Sequence, residues 1–161
     1  MAALNGHAFA GGLITAAVCD YRVAVDDGPG FGLNEVPIGI PMPAAYVRML
    51  AYAWGEPAAA RACLLGEVFT PAQAHALGMV HELVPAERLL DRAVAIAGQT
   101  PQDCLGQYAF TKRACQAAAL RDIAELADPL DSELPGAMTS DQARHAHRHY
   151  WQQLKGRPAP W

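Results

Sequence analysis

Two stretches of this 161-residue chain carry residue types and spacings that could do chemistry. The first, Asn5-Gly6-His7-Ala8-Phe9-Ala10-Gly11-Gly12, ends in a glycine pair just ahead of an apolar run. Glycines at a strand-to-helix turn let backbone N–H groups approach a ligand closely. The first amides of a helix have no acceptors inside it, and the dipole end there is positive. Such a turn suits an anion, or an oxyanion that develops in a transition state. Glycine also serves close helix packing, and spacing alone favours that commoner use. The second stretch, residues 31–39, holds a single carboxylate, Glu35, among apolar neighbours. Burial would raise its pKa and fit it to carry a proton. Most Glu side chains face water instead, so both settings stay open at this point.

Other candidates weaken on inspection. His145 and His149 are four apart on a helix, but Arg144 and Arg148 flank them with no carboxylate or cysteine alongside. That pattern reads as a solvated face and not as a metal site. His7 has no adjacent nucleophile. No Gly-Lys-Ser/Thr follows the glycines, no Gly-x-Ser-x-Gly occurs, and Gly28, Gly30 and Gly32 lack dinucleotide-binding spacing. The 12 basic residues against 16 acidic ones give a net charge of −4, which argues against nucleic acid as a partner. No apolar run of about 18 residues exists to cross a membrane. Cys19, Cys63, Cys104 and Cys115 are widely spaced and read as reduced, mostly buried thiols. With no basic leader ahead of them, the expected location is the cytoplasm.

The elements that position these residues follow from periodicity and punctuation. Hydrophobic residues at 52% against 17% charged leave room for one domain with a real core. Residues 2–4 read as a strand running into Asn5-Gly6. Residues 13–19 are apolar all round and predict a fully buried helix. Residues 20–25 alternate polar and apolar and predict a strand. Residues 26–30 are a turn cluster, 31–33 a short strand, and 34–43 a Gly/Pro-rich loop. Helix dominates from there. One runs over 44–52, and another opens at Glu56-Pro57 and stops at Gly66. Thr70-Pro71-Ala72-Gln73 is a capping box that starts a short helix ending at Gly78. Residues 79–84 return as a strand, and Pro85 opens a helix reaching about Gly98. Pro101, Pro129 and Pro135 punctuate the later helices. The last helix begins at residues 139–142 and stops at Gly156 and Pro158. The chain thus divides into an α/β unit over 1–98 and a helical region over 99–161. The apolar faces of that second region need a core or a neighbouring subunit to cover them.

In this order, the patterns resemble one family, the enoyl-CoA hydratase/isomerase (crotonase) family. The resemblance rests on Asn5 to Gly12, on Cys19-Asp20-Tyr21-Arg22-Val23-Ala24, on Phe31-Gly32-Leu33-Asn34-Glu35-Val36, and on Gly66 to Val80. It covers about residues 2–98, then fades into helices similar to the family's C-terminal oligomerisation region. It implies an α/β crotonase-like (ClpP/crotonase) spiral of ββα units, here its C-terminal portion. It also implies an acyl-CoA substrate, no cofactor besides that coenzyme A thioester, and a homotrimer or hexamer. By position, Gly11 matches the second of two oxyanion-hole donors and Glu35 the second of two acid/base glutamates. The acyl group would extend past Ile14, Val36 and Ile38. Lys155 and Arg157 could reach the CoA phosphates or could equally be plain solvated charges.

Two departures from the family pattern shape the expected activity. Ile14 stands where the first hydratase glutamate would fall. Water addition uses two carboxylates, whereas moving a proton between acyl carbons needs one, so the pattern is closer to double-bond isomerases. The resemblance also implies that about the first third of the usual domain, with the first oxyanion donor and the adenine-gripping loop, is not in this chain. A gene fragment, a mis-called start and a subunit completed by another chain are the three origins open to it. The other readings are an inactive acyl-CoA-binding member and a hydrolase or decarboxylase using the same enolate pocket.

Overall fold

The computed structural model describes residues 1–154. Two small three-stranded sheets and eight helices make up the described residues. The first sheet joins β1 (Ala2–Leu4), β3 (Arg22–Val25) and β6 (Glu82–Val84), with β3 central and all pairs parallel. The second joins β2 (Ala8–Phe9), β4 (Phe31–Gly32) and β5 (Val68–Phe69). There β2 and β4 run parallel, while β4 and β5 run antiparallel. Helix α1 (Gly11–Ala17) connects β2 to β3, and a 3₁₀ turn (Val36–Ile38) follows β4. Helices α2 (Ala44–Trp54), α3 (Glu56–Leu65), α4 (Pro71–Ala76) and α5 (Leu89–Ala97) come next. The described residues end on α6 (Leu105–Asp131), α7 (Leu134–Thr139) and α8 (Asp141–Leu154).

The two faces of β3 feed two cores. Val23 and Val25 pack with Val84 and Leu89 under α5. Ala24, on the opposite face, joins the larger core built on Leu13, Phe31, Leu33, Leu50, Trp54, Phe69 and Met79. This explains one departure from the sequence reading. Alternation on residues 20–25 predicts a half-exposed strand, but β3 is central and covered on both faces, so all four of its residues are buried. Arg22 is buried with them, at 3% exposure.

Local signals in the middle of the chain hold. Thr70 Oγ1 accepts the Gln73 N–H at 3.3 Å, and Gln73 Oε1 accepts the Thr70 N–H at 2.9 Å, the reciprocal capping box. Gly66, in the left-handed region at φ 60°, ends α3. Ser140 Oγ accepts the Ala143 N–H at 3.0 Å and caps α8.

Four expectations need correction. Helix α1 is not fully buried: Leu13, Ala16 and Ala17 face the core, while Gly11, Gly12, Thr15 and Val18 are exposed. The two-residue strands β2 and β5 lie in segments that read as turns, because strands this short show no periodicity. Pro129 sits inside the last turn of α6 and does not end it. Of the four cysteines only Cys63 is buried; Cys19 is intermediate, and Cys104 and Cys115 are exposed on the helical region. The expected stop at Gly156 and Pro158 lies outside the described residues.

These packing relations set two expected stabilities. Leu13 is fully buried in the larger core, so Leu13→Ala should cost about 2–5 kcal/mol in chemical denaturation. Thr70→Ala removes only the cap and should cost about 1 kcal/mol.

Candidate active site

The segments that carry the glycine turn and the carboxylate leave neighbouring strands, because β2 and β4 pair in parallel. Ala8 pairs with Phe31 and Phe9 with Gly32. The Ala10 N–H then donates to the Gly32 carbonyl at 3.0 Å, continuing the ladder one residue beyond β2. Gly11 and Glu35 therefore leave the same carboxyl ends of two adjacent parallel strands. In open α/β sheets that edge is where ligands are held.

Ala10 is the hinge between β2 and α1. Its φ of 48° and ψ of −128° make it the one non-glycine with positive φ among the described residues. The setting belongs to neither strand nor helix and rotates the Ala10–Gly11 peptide out of both. Strain of this kind costs about 1–3 kcal/mol and collects at functional sites. No side chain caps α1 at this end. Gly11 and Gly12 are exposed, and a side chain at either would meet nothing within 4 Å, so the turn is open to a ligand.

Glu35 opens the 3₁₀ turn, with φ −62° and ψ −53°. Its carbonyl accepts the Ile38 N–H at 3.1 Å and the Ile40 N–H at 2.9 Å, which fixes its backbone. The side chain is partly buried, and its Oε2 is buried with no hydrogen-bond partner. Burial raises the Glu35 pKa, and a hydrogen bond from its own backbone works weakly the other way. Burial, and then the nearby Glu35 charge, pushes the Cys63 thiol up to about 11. Cys63 thus stays a neutral thiol at ordinary pH and does not compete for the proton.

Close packing holds the Glu35 loop. A Cβ on Gly66 would sit 2.3 Å from Pro37 Cγ, so the end of α3 meets this loop at a distance only glycine allows. On the other side a Cβ on Gly39 would lie 2.6 Å from the Ala143 carbonyl of α8. Asn34 Nδ2 donates to Tyr150 Oη at 3.3 Å, also from α8. Helix α8 is therefore part of the frame around Glu35, which sequence spacing alone did not reveal.

Of the three residues expected to flank an acyl group, Val36 lines a cavity of about 540 Å³ between the 36–41 loop and α7–α8. Ile14 packs partly buried against the larger core, and Ile38 lies in the 3₁₀ turn. Another cavity, of about 620 Å³, lies at the opposite end of α1, against Cys19, Arg22 and His81, away from Gly11. Lys155 and Arg157 lie outside the described residues. Among those described, no cluster of three or more His, Cys, Asp or Glu could hold a metal ion. No helix among them is long and apolar enough to cross a membrane.

With this geometry in place, comparison with known proteins is decisive about family. The enoyl-CoA hydratase/isomerase family profile matches residues 1–155. The chain is 39% identical over 101 residues to the mitochondrial enoyl-CoA delta isomerase 1 of Homo sapiens, an alignment covering 62% of this chain and 33% of that protein. It is 33% identical over 99 residues to the 2,3-dehydroadipyl-CoA hydratase of Escherichia coli K12, covering 62% and 38%. In structure it matches human mitochondrial delta3-delta2-enoyl-CoA isomerase with a TM-score of 0.80 at 31% identity, over 95% of this chain and 60% of that one. The chain belongs to the enoyl-CoA hydratase/isomerase family and has the crotonase fold, with a large helical C-terminal portion. Its alignments span about a third of the length of those curated isomerases.

The buried carboxylate makes a stability prediction with a definite sign. A folded-state pKa raised above the ordinary 4.5 leaves full stability below pH 4.5, and that contribution is lost as pH rises through the folded value. Glu35→Gln should therefore melt higher than the parent at pH 7, with the gap closing below about pH 4.5. Equal melting temperatures across the range would place Glu35 in water.

Proposed function

We propose that this chain isomerises the double bond of an enoyl-CoA thioester, with Glu35 as the single proton carrier and the Gly11 amide as an oxyanion donor. The observation that carries the reading is the buried Glu35 oxygen with no partner, on a segment that leaves β4 where the open backbone amides leave its parallel neighbour β2. Burial outweighs the one backbone hydrogen bond that favours its ionised form, so the carboxylate gains by taking up a proton.

The steps balance with one base. Glu35 removes a proton from C2 of a 3-enoyl thioester. The electron pair moves onto the thioester oxygen and gives a dienolate. An amide aimed at that oxygen stabilises the charge as it develops. The electrons then return through the chain, and Glu35 delivers its proton to C4, leaving the 2-enoyl thioester. No water is consumed. Ile14, an apolar residue where a hydratase would carry its first glutamate, supports isomerisation over hydration. The similarity to delta isomerases supports the same choice.

The division into a spiral portion over 1–98 and a helical region over 99–161 belongs to this reading, as does self-association into a trimer or hexamer. Leu90, Val94, Leu105, Phe110 and Leu120 expose large apolar surfaces on α5 and α6, which supports such an assembly.

Incubation of the purified protein with 3-enoyl-CoA should yield 2-enoyl-CoA, detected by its conjugated thioester absorbance. Glu35→Gln should lower kcat by about 10²- to 10⁴-fold while still binding the thioester. Retained activity in that variant, or 3-hydroxyacyl-CoA as the product, contradicts the reading. Binding without turnover in the parent protein would identify an acyl-CoA-binding member instead.

A further inference from the structure

We propose that Arg22 is a positioning residue for the Gly11 amide, clamping the far end of α1 so that its oxyanion-binding end stays fixed. The proposal rests on the role given to Gly11 above. It starts from an oddity of the core: a cation at 3% exposure with no carboxylate bonded to it among the described residues. The neighbouring acid, Asp20, is engaged elsewhere, by Lys112 at 2.8 Å and by the Tyr108 hydroxyl at 2.6 Å.

Backbone carbonyls take the place of a counter-ion. Arg22 Nη1 donates to Ala17 O at 3.1 Å and to Cys19 O at 2.7 Å. Nη2 donates to Ala53 O at 3.3 Å, and Nε donates to Met79 O at 2.7 Å. Ala17 is the last residue of α1, and Ala53 lies in the last turn of α2. The last carbonyls of a helix lack intrahelical donors and carry the negative end of its dipole. One planar fork thus ties two helix ends and the segment before β6 to the central strand, a geometry an ammonium cannot reproduce.

The consequence reaches Gly11 because α1 is short. Seven residues span about 10 Å, so the helix moves as a unit. Its other end has no side-chain cap and starts from the strained Ala10. Arg22 grips the far end, while the Ala10 N–H to Gly32 O bond and the buried Leu13 hold the near one, so Gly11 is set by both anchors together. His81 seats the clamp: its Nδ1 accepts the Arg22 backbone N–H at 3.1 Å, and its ring stacks on Tyr21 with centroids 4.5 Å apart. Loosening the clamp displaces the amide that polarises the thioester but leaves the binding surface in place. Small displacements of such donors are costly in rate.

The test is Arg22→Lys, which keeps the charge and loses the fork. Amide hydrogen exchange at Ile14 and Val18, whose bonds hold the two ends of α1, should accelerate by about tenfold or more, with Ala74 and Gly98 unchanged. With 3-enoyl-CoA, kcat should fall by about 10- to 100-fold while KM stays within about twofold. Exchange that is unchanged at Ile14 and Val18, or raised equally along the chain, overturns the proposal. So does a rise in KM with kcat intact. Should Arg22→Lys not fold, His81→Ala, at a more exposed position, carries the same exchange test. The exchange readout needs no substrate. A parent protein without isomerase activity overturns the functional reading and leaves exchange to decide the clamp.

Discussion

The hydrogen bond from Ala10 N–H to Gly32 O is the interaction on which the candidate site depends. It extends the parallel β2–β4 pair by one residue and so sets where each strand hands over to the segment that carries a candidate residue. From β2 the chain turns at a strained Ala10 into the open amides of α1. From β4 it passes through Leu33 and Asn34 to Glu35. The period of a strand is two residues, so a slip of one position would send both segments to wrong faces. Phe31, Leu33 and Phe69, all fully buried, lock this register from beneath.

The site also contains what the rest of the fold must stabilise. An unpartnered carboxylate oxygen and a non-glycine at positive φ both oppose folding. The surrounding packing holds them. Gly66 lets α3 lie against Pro37, Gly39 lets α8 lie against the same loop, and Leu13 anchors α1 in the larger core. The fold has therefore kept one Glu35 oxygen away from water, where the carboxylate would be most stable, and so raises its pKa.

Much of this was legible in the sequence, and the reasons differ by residue. Capping at Thr70 and termination at Gly66 are local, and local chemistry decided them. Gly11 and Glu35 became candidates through residue type, and the family motif selected them from commoner uses of glycine and glutamate. Arg22 was hidden, because alternation marks a polar residue for solvent unless the strand is known to be central. β2 and β5 were hidden too, since two residues carry no period. The contact of α8 with Asn34 and Gly39 joins positions about a hundred residues apart, and no local pattern encodes it.

The central claim is that one side chain carries one proton between two carbons of the same acyl chain. It is tested most directly with 3-enoyl-CoA deuterated at C2 and turned over in ordinary water. The account expects deuterium at C4 of the product above the solvent level, because one Glu35 oxygen is buried and can hold the deuteron between the two carbons. Complete loss to water of the deuteron removed from C2, with none found at C4, would contradict a single carrier at Glu35.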